Sequence, residues 1–244
     1  MRTRLVVIHA LTLAVLPAAA RADRRYYAET YSATTAEPGG VDLELWSTLQ
    51  QAPRQGGLQT WVHQVEVETG LTDSWDVALY NVFQYQQGDV LRYQALKVES
   101  RYRLSQPGEW VVDPVLYLEA RKEFVEDKPW AVEEKVIVAK DLRRLNLSVN
   151  LLAEQEFLPG GGTELEWGYA AGASWEATPM VRLGAEAWGA WNRPAGGDAY
   201  RFTAYAGPAL ALAASRTWLV LGAGWGLNDA SDRLRVRAIL AFQF

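Results

Sequence analysis

The chain has no cysteine, and only two histidines and two methionines among its 244 residues. Without cysteine there is no disulfide framework, no thiolate metal site and no acylation site of the lipoprotein kind. Long apolar runs are also missing. Beyond Ala22 nothing approaches the roughly 20 apolar residues that a spanning helix needs, and no long segment carries the 3.6-residue period of an amphipathic helix. No low-complexity linker divides the chain. Basic excess is absent too, with a formal charge of -5, so nucleic acid is not an expected partner.

The N-terminus has the form of an export signal: Arg2 and Arg4, an apolar run from Leu5 to Leu16, Pro17, then small residues around Ala20 and Ala22. Cleavage before Asp23 makes residues 1–22 a signal peptide. It removes Arg2, Arg4 and Arg21, three positive charges, and moves the formal charge from -5 to -8.

What is present is alternation. Segments of roughly ten residues, each switching between polar and apolar every second position, are separated by Gly, Pro, Asp and Ser clusters. They fall at 41–50, 58–70, 75–86, 90–104, 110–124, 131–141, 145–157, 163–176, 180–191, 200–213, 218–227 and 233–244. The fold class is therefore all-β: an antiparallel up-and-down transmembrane barrel of about 12 strands over 41–244. The 23–40 stretch is an N-terminal extension, read either as a plug in the lumen or as a further strand at the seam. An even count leaves both termini on the periplasmic side. It places Gln51–Gly57, Gln87–Asp89, Val125–Trp130, Leu158–Gly162, Asn192–Ala199 and Asn228–Asp232 outside.

The last segment is the sharpest. Leu234, Val236, Ala238, Leu240, Phe242 and Phe244 share one face, while Arg233, Arg235, Arg237 and Gln243 share the other. A terminal Phe-Gln-Phe resembles the closing strand of bacterial outer-membrane barrels, whose final aromatic is read by the barrel-insertion machinery. That resemblance implies residence in the outer membrane of a Gram-negative bacterium, with Phe242 and Phe244 as the insertion signal and membrane lipid and the insertion machinery as partners. On the lipid-facing parity, Trp75, Trp110 and Trp175 lie toward the periplasmic ends and Trp61, Trp167, Trp191 and Trp225 toward the outer ends, as two interfacial girdles. His63, Asn81, Pro114 and Pro208 fit the scheme poorly, so bulges or register shifts are expected near them.

The stretches Asp113-Pro-Val-Leu-Tyr-Leu-Glu119, Gly207-Pro208, Trp218 to Leu227 with its Gly-Ala-Gly-Trp-Gly-Leu ending, and Arg233 to Phe244 resemble the small barrels described as outer-membrane transporters of the phenol-degradation MetA-pathway type. The resemblance implies a pore or transporter of unspecified substrate, without catalytic residues.

The inward parity gathers charges of both signs: Asp42, Glu44, Glu66, Glu68, Lys97, Glu99, Arg101, Arg103, Asp113, Glu119 and Arg121. Later strands add Lys135, Glu154, Glu156, Glu164, Glu166, Arg182, Glu186, Arg201, Arg233, Arg235 and Arg237. Two readings follow. The charges form a cross-strand ion-pair network that fills the lumen, or they line a polar conduit that binds or passes a small solute. For the Arg233, Arg235, Arg237 row, the preceding strand offers only Val220, Gly222, Gly224 and Gly226, so barrel closure points to Asp42 and Glu44 as partners. The inward glycines themselves leave room for a large neighbour to lie flat.

Enzyme readings find little support. Serine hydrolysis needs a histidine base, and the single mature histidine, His63, faces lipid. Gly172-Ala-Ser-Trp-Glu176 misses the nucleophile-elbow pattern at its last position. Gly222-Ala-Gly-Trp-Gly226 is followed by no helix and lacks the third spaced glycine of a dinucleotide loop. Glu66 with Glu68, or Glu164 with Glu166, are short of ligands for a hard cation. The expectation is a monomeric barrel with no cofactor, no metal and no catalysis, passing or binding a small solute; the alternative is a closed structural or interaction barrel, and an outer-membrane lipid-active enzyme is a more distant third.

Overall fold

The computed structural model describes residues 25–52, 58–124, 130–193 and 199–244. Twelve strands close into one antiparallel barrel: β1 (Val41–Gln51), β2 (Gln59–Thr72), β3 (Trp75–Gln86), β4 (Arg92–Arg103), β5 (Asp113–Glu123), β6 (Trp130–Leu142), β7 (Leu145–Phe157), β8 (Thr163–Thr178), β9 (Val181–Arg193), β10 (Arg201–Ala214), β11 (Thr217–Gly226) and β12 (Leu234–Gln243). Each strand pairs with its sequence neighbours, and β1 closes on β12. Closure satisfies every edge, which is what allows strands to cross an apolar layer. Residues 1–24, which the sequence assigns to the export signal, lie outside the described residues, as do all or part of the loops assigned to 51–57, 125–130 and 192–199.

The alternation dictates the two faces. Leu45, Val67, Leu79, Val98, Leu118, Val136, Leu151, Leu183 and Leu221 are exposed on the outside, whereas Glu44, Glu66, Tyr80, Glu99 and Glu119 on the opposite parity are buried. Tight turns join strands at one end. Two-residue connections at Arg143-Arg144 and Ser215-Arg216 put Arg143 (φ 58°) and Ser215 (φ 54°) in the left-handed region that such hairpins demand. The connections at the other end are all longer than these, and the tight-turn end has one long connection of its own, 104–112 between β4 and β5. Trp75, Trp110 and Trp175 are exposed at the tight-turn end, and Trp130, Trp167, Trp191 and Trp225 at the long-loop end; Trp61 is half-buried and stacks on His63.

The irregularities fall at other places than the sequence suggests. Register shifts occur at Gly70/Thr72, Val82/Phe83 and Glu176/Thr178. Only the second adjoins an expected position, Asn81. Pro114 pairs with Val138 in an unbroken register, and His63 sits in regular ladders opposite Ser47 and Phe83. At Pro208 the ladder to β11 has a gap, from Ala206↔Trp225 to Ala209↔Gly222, without a change of register. Proline removes a donor but need not insert a residue, so a gap suffices. Nor does Trp110 open a strand: β5 begins at Asp113.

Tyr26 to Ala36 forms no strand. Residues 25–36 run irregularly through the barrel interior, and the segment then meets β2 in an isolated parallel bridge between Pro38 and Gly70 before entering β1. Tyr27 and Ala28 are among the most buried side chains of the described residues. Ala28 packs in an inward apolar cluster with Trp46, Tyr80, Trp218, Val220 and Ile239, so the seam side of the lumen is greasy.

Candidate functional site

Before its bridge at Pro38 the N-terminal segment forms no strand, so the polar groups of its backbone depend on side chains from the wall. Glu186 of β9 accepts three backbone N–H bonds, from Ala28 (2.8 Å), Glu29 (2.8 Å) and Thr30 (2.7 Å). Asn150 of β7 takes both sides of Tyr31, accepting from its N–H at 2.6 Å and donating to its carbonyl at 2.9 Å. The Tyr27 hydroxyl sits 2.8 and 2.9 Å from the Oδ1 and carbonyl of Asn146. From β12, Arg237 donates to the Ala28 carbonyl at 2.9 Å and pairs with Glu29 at 2.7 Å. Three strands, β7, β9 and β12, therefore grip one short peptide.

The charged residues separate into groups along the lumen. Arg101 lies between Asp76 (2.7 Å), Glu99 (3.3 Å) and Glu68. Arg25 lies 3.1 Å from Glu44 and 3.6 Å from Glu66, with its guanidinium over the rings of Tyr31 and Trp46. Lys97 pairs with Glu119 at 3.1 Å, and Tyr117 donates to the same carboxylate at 3.0 Å. Lys135 pairs with Glu133 at 2.9 Å and lies over the rings of Tyr31 and Tyr117. Arg121 gathers Glu123, Glu154 and Glu156 at 2.8 to 3.0 Å. Arg182 meets Glu176 at 3.0 Å and covers the Tyr26 ring.

Several sequence-predicted residues sit at the rims. Arg103 ends β4 beside the Asp73 carbonyl, and Asp113 accepts from the Gly108 N–H in the preceding turn. Arg201 and Arg233 are exposed at the long-loop end, and Arg233 precedes β12. The closure pairing expected for the arginine row does not form. In the antiparallel seam Asp42 faces Gln243 and Glu44 faces Ala241, while Arg237 faces Thr48 and Arg235 faces Gln50. The start of β1 meets the end of β12, so those carboxylates and arginines lie at opposite ends. Arg235 pairs with Asp232 and covers the Tyr205 ring; Arg237 takes Glu29.

Between these groups lies a partly open cavity of about 330 Å³, with Glu29 and Tyr31 as part of its wall. Lys97, Glu119, Glu133 and Lys135 bound it on one flank, and Trp188, Tyr205, Arg235 and Arg237 on the other. Its aromatic residues were not singled out by sequence reasoning, although the signal was there. Trp46 follows Glu44 by two, Tyr117 precedes Glu119 by two and Trp188 follows Glu186 by two, so each shares the inward face of a charged residue.

No protein-family model matches the chain, and no curated protein matches it. Solved structures do. An outer-membrane channel from Pseudomonas putida F1 is similar with a TM-score of 0.65 at 12% identity, over 87% of this chain and 98% of that one. The NanC porin gives 0.57 at 10% identity over 82% and 98%, and the KdgM porin, solved in complex with disordered oligogalacturonate, gives 0.57 at 6% over 83% and 98%. At such identities the likeness is one of fold. The chain has the closed small-barrel fold found in outer-membrane channels.

Proposed function

We propose that this protein resides in the outer membrane of a Gram-negative bacterium, inserted as a monomer through its Phe242 and Phe244 signal, and binds or passes a small solute through its lumen. The observation that carries this is the 330 Å³ cavity, walled by cations, carboxylates and aromatic rings rather than filled by them. Its size is at the low end of ligand pockets, roughly 300 to 1,000 Å³. The rings of Tyr117, Trp188 and Tyr205 offer apolar wall to a planar solute, and Lys97, Lys135, Arg235 and Arg237 offer donors to an acidic or hydroxylated edge. A small aromatic acid or phenol meets both demands. The resemblance to MetA-pathway barrels supports a transporter without specifying its substrate, and no covalent chemistry is assigned to the lumen. Uptake of benzoate and phenol by proteoliposomes tests this: influx above that of lipid alone, reduced by R235Q/R237Q, is expected, and equal influx contradicts it.

A second reading has its own observation. Among the described residues Arg101, Arg121, Arg182 and Lys97 are all paired, and the peptide at 25–31 is held on several sides. That arrangement also suits a closed structural barrel. A folded protein that neither conducts ions nor admits solute would establish it.

A further inference from the structure

The first two strands carry a feature that the solute reading does not use. In the β1–β2 register Asp42 stands directly across from Glu68 and Glu44 directly across from Glu66, all on the inward face. Four carboxyls thus form a two-by-two square. Directly opposed residues have Cβ atoms roughly 4.5 to 5.5 Å apart, and like charges so placed repel. One carboxylate oxygen from each of Glu44, Glu66 and Glu68 lies within 4.8 Å of the others. All four residues are buried, with exposures of 4, 1, 0 and 5% for Asp42, Glu44, Glu66 and Glu68.

The described cations around the square do not balance it. Arg25 reaches Glu44 and Glu66, and Arg101 reaches Glu68, but Arg101 also serves Asp76 and Glu99. Two guanidiniums therefore face six buried carboxyls. A separate observation concerns Asp42 itself. Its Oδ1 is buried without a hydrogen-bond donor, two residues before Glu44 on the same face and opposite Glu68. The Glu66 Oε1 likewise has no hydrogen bond, with Arg25 at 3.6 Å as its ionic neighbour. Buried anions without compensation are costly, and an uncompensated set of carboxylate oxygens suits a hard divalent cation, which takes several such ligands.

We propose that Asp42, Glu44, Glu66 and Glu68 form a divalent-cation site, of the calcium class, on the inner wall at the tight-turn end. Carboxylates supply the charge, and a divalent cation would halve the excess of six buried carboxyls over the guanidiniums of Arg25 and Arg101. The cation would tie β1 and β2 together where the N-terminal segment joins the sheet. Sequence reading misses this because it finds Glu66 with Glu68 short of ligands, and the pairing register alone brings Asp42 and Glu44 beside them.

Trp46 provides the probe, since its Nε1 donates to both Glu44 and Glu66 at 2.9 Å. The experiment uses the mature barrel refolded in detergent, stripped with a chelator and titrated with Tb³⁺ alone under tryptophan excitation, followed by Ca²⁺ competition. The expected result is saturable sensitised emission that Ca²⁺ displaces, a weakening of Tb³⁺ binding by about tenfold or more in D42N/E68Q, and binding within about twofold of the unmodified protein in E109Q. If the double variant does not refold, D42N alone is measured and is expected to weaken binding in the same direction. The proposal is overturned if the unmodified barrel shows no saturable emission, which would mean that protons neutralise the square, or if D42N binds Tb³⁺ as tightly as the unmodified protein.

Discussion

Arg237 of β12 and Glu29 of the N-terminal segment form an ion pair at 2.7 Å inside the barrel, and the same guanidinium donates to the Ala28 carbonyl. The pair fastens an irregular peptide to the closing strand. Replacing Arg237 with Gln leaves Glu29 without this partner in a lumen that water partly reaches. The expected loss is about 1 to 3 kcal/mol, below that of a fully buried pair because of screening. R237K should recover only part of it, since an ammonium lacks the planar fork that serves two acceptors. Urea unfolding of the three proteins in one detergent checks this, and equal midpoints would remove the pair from the account.

Glu186 offers a second prediction. Its carboxylate accepts the N–H groups of Ala28, Glu29 and Thr30, and each charge-assisted bond contributes about 1.5 to 3 kcal/mol. E186A should release the segment from β9. Because the chain has no cysteine, a single S32C substitution gives a clean reporter at a residue buried in the segment. Maleimide labelling of S32C should accelerate by about tenfold or more when E186A is added, on the scale of tenfold per 1.4 kcal/mol. Unchanged labelling would mean that the other anchors hold the segment without Glu186.

Gly224 makes room for Trp188. A Cβ on Gly224 would stand 2.0 Å from the Trp188 ring, whereas one on Gly160 would meet nothing within 4 Å. G224V should therefore lower the thermal unfolding temperature or block refolding, through overpacking of about 1 to 3 kcal/mol, while G160A stays near neutral. Similar unfolding temperatures for the two variants would contradict the packing described.

The C-terminal residue should matter more than its neighbour. Phe244 is 71% exposed, just past the end of β12, with its N–H held by the Val41 carbonyl, while Gln243 is half-buried. If the outward aromatic is the insertion signal, deleting Phe244 should reduce heat-modifiable barrel in the outer-membrane fraction severalfold and Q243A should leave it nearly unchanged. Equal losses would count against the signal.

The strands were legible because a wall between two unlike environments enforces a period of two. Leu116 and Leu118 alternate with Tyr117 and Glu119 for no other reason. The inward glycines were legible in the same way, with Trp188 against Gly224 and Ala28 against Gly222. What failed depended on long-range register. The partnership of Arg237 with Glu29 rather than Asp42 or Glu44 needs both the antiparallel seam and the path of an irregular peptide, and neither leaves a periodic trace. Pro114 misled because proline marks a missing donor, not an inserted residue.

Single-channel recording of the refolded mature barrel in planar bilayers tests the central claim most directly. A lumen with an open cavity predicts discrete conductance steps, with reversal potentials that shift toward cation preference in R235Q/R237Q as fixed positive charge leaves a confined path. Protein shown to be folded by heat modifiability that gives no steps at any applied voltage would contradict a solute-passing barrel and leave the closed structural one.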